Sequence, residues 1–81
     1  MMHTIVGWHV ELEFMEEGDR TRAAAMVRLS DGSELRANGY STRHRSDSPQ
    51  PRVGEEVAGA RALNELAMQL LTKAHGELKS A

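Results

Sequence analysis

Cysteine is absent from these 81 residues, which excludes disulfide staples and thiolate metal sites. A chain this short lies near the lower limit for folding unaided, so it must rely on core packing, on oligomerisation, or on both. Aromatic side chains are scarce: Trp8, Phe14 and Tyr40 are the whole set. No apolar run approaches the roughly 20 residues of a membrane-spanning helix. The opening "MMHTIVGWHV" has neither a cationic start nor a long apolar core, so it does not read as a secretory signal. Glycines are dispersed and form no phosphate-cradling motif. Net charge is −2 with a pI near 6.0, whereas a domain devoted to gripping duplex nucleic acid is usually clearly basic. A cytoplasmic protein without a membrane segment is the expectation.

What is present is strong alternation. Over 5–15, Trp8, Val10, Leu12 and Phe14 share one face while His9, Glu11 and Glu13 share the other, which predicts a strand with one buried side. "EEGD" (Glu16–Asp19) turns the chain. Thr21–Leu29 alternates again, with Ala23, Ala25, Val27 and Leu29 inward. Its alanines also fit a helix, but the flanking turns and short length favour a strand. "LSDGSEL" follows. A two-residue Asp31-Gly32 loop would set inward Leu29 against outward Glu34. A three-residue loop with Gly32 left-handed instead sets Val27 opposite Leu35 and Ala25 opposite Ala37. Strand three is expected over 34–42. On the outer face this register predicts Glu13 beside Arg22, Arg28 beside Glu34, and Arg22 stacked near Tyr40.

A connector over 43–54 then feeds a helix over 55–75, with Gly54 as N-cap, Glu55 and Glu56 at the positive end of the dipole, and Gly76 as the stop. Val57, Ala60, Leu63, Leu66, Ala67, Leu70, Leu71 and Ala74 span an arc of roughly 180°, wider than the roughly 100° a helix needs against a single sheet. Leu66 and Leu70 are therefore expected at the rim, either packed on the C-terminal turn or, the favoured reading, buried against a second copy of the chain. The predicted architecture is α+β: a three-stranded antiparallel sheet in β-β-β-α order, with one long C-terminal helix on one face.

Chemistry-bearing residues are few. His3, His9, His44 and His75 match no metal-ligand spacing, so no metal or other cofactor is expected. His44, Ser46, Asp47 and Ser48 have the residue types of a hydrolytic triad, but nothing supplies an oxyanion hole or a rigid scaffold. "STRHRSDSPQPR" (41–52) is cationic through Arg43, Arg45 and Arg52, yet Glu55 and Glu56 just beyond would repel an anion. It reads first as a connector and second as a contact surface, together with Arg22, Arg36 and Tyr40 on the open face of the sheet.

The strand "GWHVELEF", the middle segment "TRAAAMVRL" and the stretch V-G-E-E-x-A-x-A-R-A-L from Val53 to Leu63 resemble a family of small conserved actinobacterial proteins of unknown function. The likeness runs over nearly the whole chain. It implies a fold similar to double-stranded-RNA-binding domains without their first helix, a shape similar to ribosome hibernation factors, an association with stress, and dimers, some of them swapped. Double-stranded-RNA-binding domains place lysines where this chain has Gly54-Glu55-Glu56, so RNA binding does not transfer with the fold. The resulting expectation is a non-enzymatic homodimeric interaction module with a protein partner. The alternative is an RNA- or ribosome-associated protein.

Overall fold

The computed structural model describes residues 3–44 and 50–80. Three strands, β1 (His9–Glu17), β2 (Arg20–Arg28) and β3 (Glu34–Thr42), precede one helix, α1 (Pro51–Ser80). They form an antiparallel sheet in the order β1-β2-β3, and α1 packs across one face. This is the predicted two-layer α+β architecture.

The second hairpin matches its expected register residue by residue, with Val27 opposite Leu35 and Ala25 opposite Ala37. Its loop is Ser30-Asp31-Gly32. The Gly32 amide donates to the Leu29 carbonyl at 3.0 Å, and the Leu29 amide donates to the Ser33 carbonyl at 2.9 Å. Gly32 has φ of 89°, a left-handed conformation that a side chain would strain. Asp31 tightens the turn by accepting from both the amide and the hydroxyl of Ser33.

The first hairpin differs from expectation. Only Gly18 and Asp19 separate the strands, and Gly18 has φ of 63°, the positive value that a type II′ turn needs at its first central position. Because the turn is this tight, β1 continues to Glu17 and β2 starts at Arg20. The register follows: Arg22 faces Met15, and Glu13 faces Ala24 instead of Arg22. At its other end β1 begins at His9, not Ile5. His9 pairs with Arg28, the last residue of β2, so the chain before it has no strand to bond with. Ile5 is 96% exposed.

The helix exceeds its predicted bounds at both ends. Pro51 opens it, supplying a fixed φ where an amide would go unused, and the Gln50 carbonyl accepts from Gly54 at 3.2 Å. Gly54 is therefore helical and not a cap, Glu55 and Glu56 fall in the second turn, and the connector shrinks to 43–50. Gly76 does not stop the helix either. A Lys73–Glu77 ion pair bridges across it, and Lys79 complements the dipole in the last turn. The Glu77 carboxylate holds the Lys73 ammonium above its ordinary pKa.

The core consists of Ala23, Ala25, Val27, Ala37, Ala58, Ala62 and Leu66, with Leu12, Leu29, Leu35 and Leu70 packed around it. Small residues predominate because the helix backbone runs hard against β3. A Cβ on Gly39 would lie 2.3 Å from both the Ala58 carbonyl oxygen and the Ala62 amide nitrogen. At about 1.5 Å per residue α1 is about 45 Å long, while strands of nine residues span about 30 Å. Its final turns therefore overrun the sheet, and 74–79 are all exposed.

Leu66, expected at the rim, is instead 4% exposed at the centre of this core, and Leu70 is half-buried beside it. The surplus apolar surface lies elsewhere.

Candidate functional site

Alternation along the strands carries His9, Glu11, Glu13, Met15 and Glu17 onto the open face of the sheet, beside Arg20, Arg22, Met26 and Arg28 from β2 and Glu34, Arg36 and Tyr40 from β3. Arg22, Arg36 and Tyr40 are thus placed on that face as expected. At one end, Glu34 accepts from Arg28 Nε (3.0 Å) and Nη2 (2.9 Å) and from Arg36 Nη2 (3.2 Å). Arg28 first, then Arg36, holds the Glu34 carboxyl below its ordinary pKa. Met26 lies between Glu11 and Arg36 in the register and is only 5% exposed. The centre of the open face is thus sealed, not bare.

The other end differs. The cation stacked on Tyr40 is Arg20, 4.2 Å from the ring centroid, whereas Arg22, its register partner, donates to the Met15 sulfur at 3.7 Å. Sequence reasoning missed Arg20 because it began the second strand one residue later, at Thr21. The glycine at position 18 was the available signal, since a two-residue turn around it places Arg20 in the strand. Arg43 follows β3 at this same end, its amide donating to the Asp19 carbonyl at 2.7 Å. Arg52 is exposed in the first turn of α1, helical where a loop residue was expected. Arg45 and the triad-like residues Ser46, Asp47 and Ser48 lie outside the described residues. Beneath the start of α1, a cleft of ≈ 390 Å³ is lined by Glu16, Asp19, Thr21, Ser41, Arg43 and Gln50, among others. Among the described residues no three His, Asp or Glu side chains converge to hold a metal ion, and no helix is long and apolar enough to cross a membrane.

The second surface was not anticipated in position. The helix lies over β3 and β2 and reaches β1 mainly where Gly59 meets Phe14 and Leu12. The inward apolar row of β1 is consequently half covered: Val10 is 53% and Phe14 41% exposed, and Trp8 just before it is 56% exposed. On the helix, Leu63, Leu71 and Leu78 are 43%, 61% and 74% exposed, and Ala67 and Ala74 lie exposed between them. The predicted wide apolar arc is real, but the leucines left uncovered are these and not Leu66.

The two sheet edges are treated differently. On β3, Arg61 Nη1 donates to the Tyr40 carbonyl at 2.7 Å, so the helix covers an edge acceptor. On β1, no described residue bonds to the outward amides and carbonyls.

Comparison with known proteins places this architecture. The Rv2632c-like family model matches residues 6–81. This chain belongs to the Rv2632c-like family. It is 32% identical over 69 residues to the uncharacterized protein Mb1767 of Mycobacterium bovis and, to the same extent, to MT1780 of Mycobacterium tuberculosis; the match covers 85% of this chain and 72% of each relative. The crystal structure of Rv2632c superposes with a TM-score of 0.89 at 28% identity, covering 99% of this chain and 94% of that one. Rv2632c thus shares the three-stranded sheet and long helix seen here.

Proposed function

We propose that this Rv2632c-like protein is a non-enzymatic interaction module of the cytoplasm that works as a homodimer. The carrying observation is the exposed stripe on α1. Leu63, Ala67, Leu71, Ala74 and Leu78 recur at three- and four-residue spacing along one exposed flank of the helix, next to its buried face. Leucines alternating with alanines let two helices approach closely and bury the stripe of each against the other. The stripe continues onto the overhang beyond the sheet, where no described residue covers it. A small cysteine-free domain with an alanine-rich core gains most from such burial.

Sedimentation-equilibrium mass at tens of micromolar tests this. The wild type is expected at twice the chain mass, and Leu71→Glu with Leu78→Glu at the chain mass with unchanged helical circular dichroism. A wild type that stays monomeric across that range sinks the reading.

A second reading, RNA or ribosome association, is favoured by the Arg20–Tyr40 stack with Arg22, Arg43 and Arg52 at the same end of the molecule. The likeness to double-stranded-RNA-binding domains and hibernation factors belongs to this reading. Gradient sedimentation of a cell lysate at low and moderate salt separates the two, because phosphate contacts weaken steeply as salt rises.

A further inference from the structure

The free edge of β1 combines three properties that select one kind of occupant. The first is an unused row of hydrogen-bonding groups. In a hairpin with a two-residue turn, Glu17 and Arg20 form a hydrogen-bonded pair, and such pairs recur at every second residue. The odd-numbered residues of β1 therefore bond to β2. Val10, Leu12, Phe14 and Glu16 turn their amides and carbonyls to the outside. The second is a half-filled apolar floor. An added strand beside β1 would set alternate side chains against Val10 and Phe14 on the helix side of the sheet, beside the point where Gly59 of α1 meets Phe14 and Leu12. The third is charge. On the opposite face the remaining side chains of such a strand would meet Glu11, Glu13 and Glu17, all exposed.

These carboxylates decide against a second copy of β1. Antiparallel pairing of two β1 edges centred on Glu13 or on Leu12 sets Glu13 against Glu13 or against Glu11 of the other copy, and like charges directly opposite are destabilising. An edge of nine residues would otherwise invite self-pairing. The acidic face forbids the self-match while remaining complementary to a basic one.

We infer that β1 is an acceptor edge for an extended peptide in which apolar and basic side chains alternate. Such a peptide adds as a fourth strand, its backbone bonding to the outward groups of Val10, Leu12 and Phe14, its apolar side chains packing on the half-covered Val10 and Phe14, and its basic ones meeting Glu11, Glu13 and Glu17. This inference rests on the reading of the chain as an interaction module and adds the chemistry of its partner. It does not use the α1 stripe that joins two copies.

The test is fluorescence anisotropy with a labelled nine-residue peptide of alternating arginine and valine. The comparison peptides carry glutamate for arginine, or the same composition sorted into an arginine block and a valine block. The wild-type protein is expected to bind the alternating basic peptide at least about tenfold more tightly than either comparison. Val10→Pro removes one outward amide without touching the β2 ladder, and is expected to weaken binding about tenfold. Val10→Thr keeps the amide and stays within about threefold of wild type, with the far-ultraviolet spectrum of both variants unchanged. Glu11→Lys with Glu13→Lys should transfer the preference to the glutamate peptide.

Absence of binding to the wild type, equal binding of the alternating and block peptides, or indifference to Val10→Pro would each overturn the inference. A change in molecular mass caused by Val10→Pro would also overturn it, by assigning the edge to a second copy. Leu71→Glu with Leu78→Glu keeps the two readings apart: a monomer that still binds the peptide supports both, whereas a wild-type dimer that ignores the peptide refutes only the edge.

Discussion

Adding one methyl group at Gly39 should cost this protein a large share of its stability. The glycine lies where α1 crosses β3, and a Cβ there would come within 2.3 Å of the Ala58 carbonyl oxygen and the Ala62 amide nitrogen and within 2.9 Å of the Arg61 carbonyl carbon. All three are backbone atoms, so no side-chain rotation relieves the overlap. The φ of Gly39 is not positive, and the penalty is therefore purely one of space. Restoring ordinary van der Waals contact, which begins near 3.4 Å, requires the helix to lift by about 1 Å, a gap that forfeits up to about half of each dispersion contact beneath it. The contacts at risk are those of Ala58, Ala62 and Leu66 with Ala23, Ala25 and Ala37. Overpacking usually costs about 1–3 kcal/mol. With rigid backbone on both sides, we expect Gly39→Ala to lose about 3 kcal/mol or more, against a total of about 4–12 kcal/mol for a chain of this length. In thermal unfolding followed at 222 nm, about 3 kcal/mol corresponds to a fall in Tm of about 12–24 °C. Urea titration should report the same loss from the midpoint. A loss under about 1 kcal/mol would refute the claim that the helix is seated on Gly39.

Gly76→Ala should act in the opposite direction. No atom lies within 4 Å of a Cβ there and the residue is helical, so alanine should stabilise by about 0.5–1 kcal/mol in the same urea titration. A destabilised variant would restore Gly76 as a left-handed stop. In the β2–β3 turn, the Ser33 hydroxyl is the main cause of the lowered Asp31 pKa, followed by the Ser33 amide. Ser33→Ala should bring Asp31 back toward the ordinary carboxylate value, as read by carboxyl-carbon NMR titration, and an unchanged value would refute the assignment. Because the folded-state pKa values of Asp31 and Glu34 both lie below their ordinary values, their contribution is present above those ordinary values. It is lost as the pH falls through the lower folded-state values. Acid should therefore loosen the β2–β3 hairpin, and Glu34→Gln should flatten that pH dependence.

Features that depend on near neighbours were legible in the residue pattern. Period-two alternation marked all three strands, and the need to keep Val27 opposite Leu35 specified a three-residue loop with Gly32 left-handed, because a one-residue slip would turn every inward side chain outward. The amphipathic arc of α1 was legible for the same local reason. Helix ends were not. Gly54 and Gly76 look like boundaries, yet a glycine inside a helix costs only about 1 kcal/mol relative to alanine. Packing over Thr21 and the Lys73–Glu77 pair offset that cost.

Tertiary structure alone decided which side of the arc is buried. The close crossing at Gly39 draws α1 toward β3 and β2, which places Leu66 in the core, leaves Leu63 and Leu71 exposed, and uncovers the inner row of β1. The same crossing brings Arg61 to the Tyr40 carbonyl, closing one edge of the sheet while the other stays open. Such outcomes depend on where two backbones from separate segments of the chain approach, and no residue pattern within either segment encodes that distance.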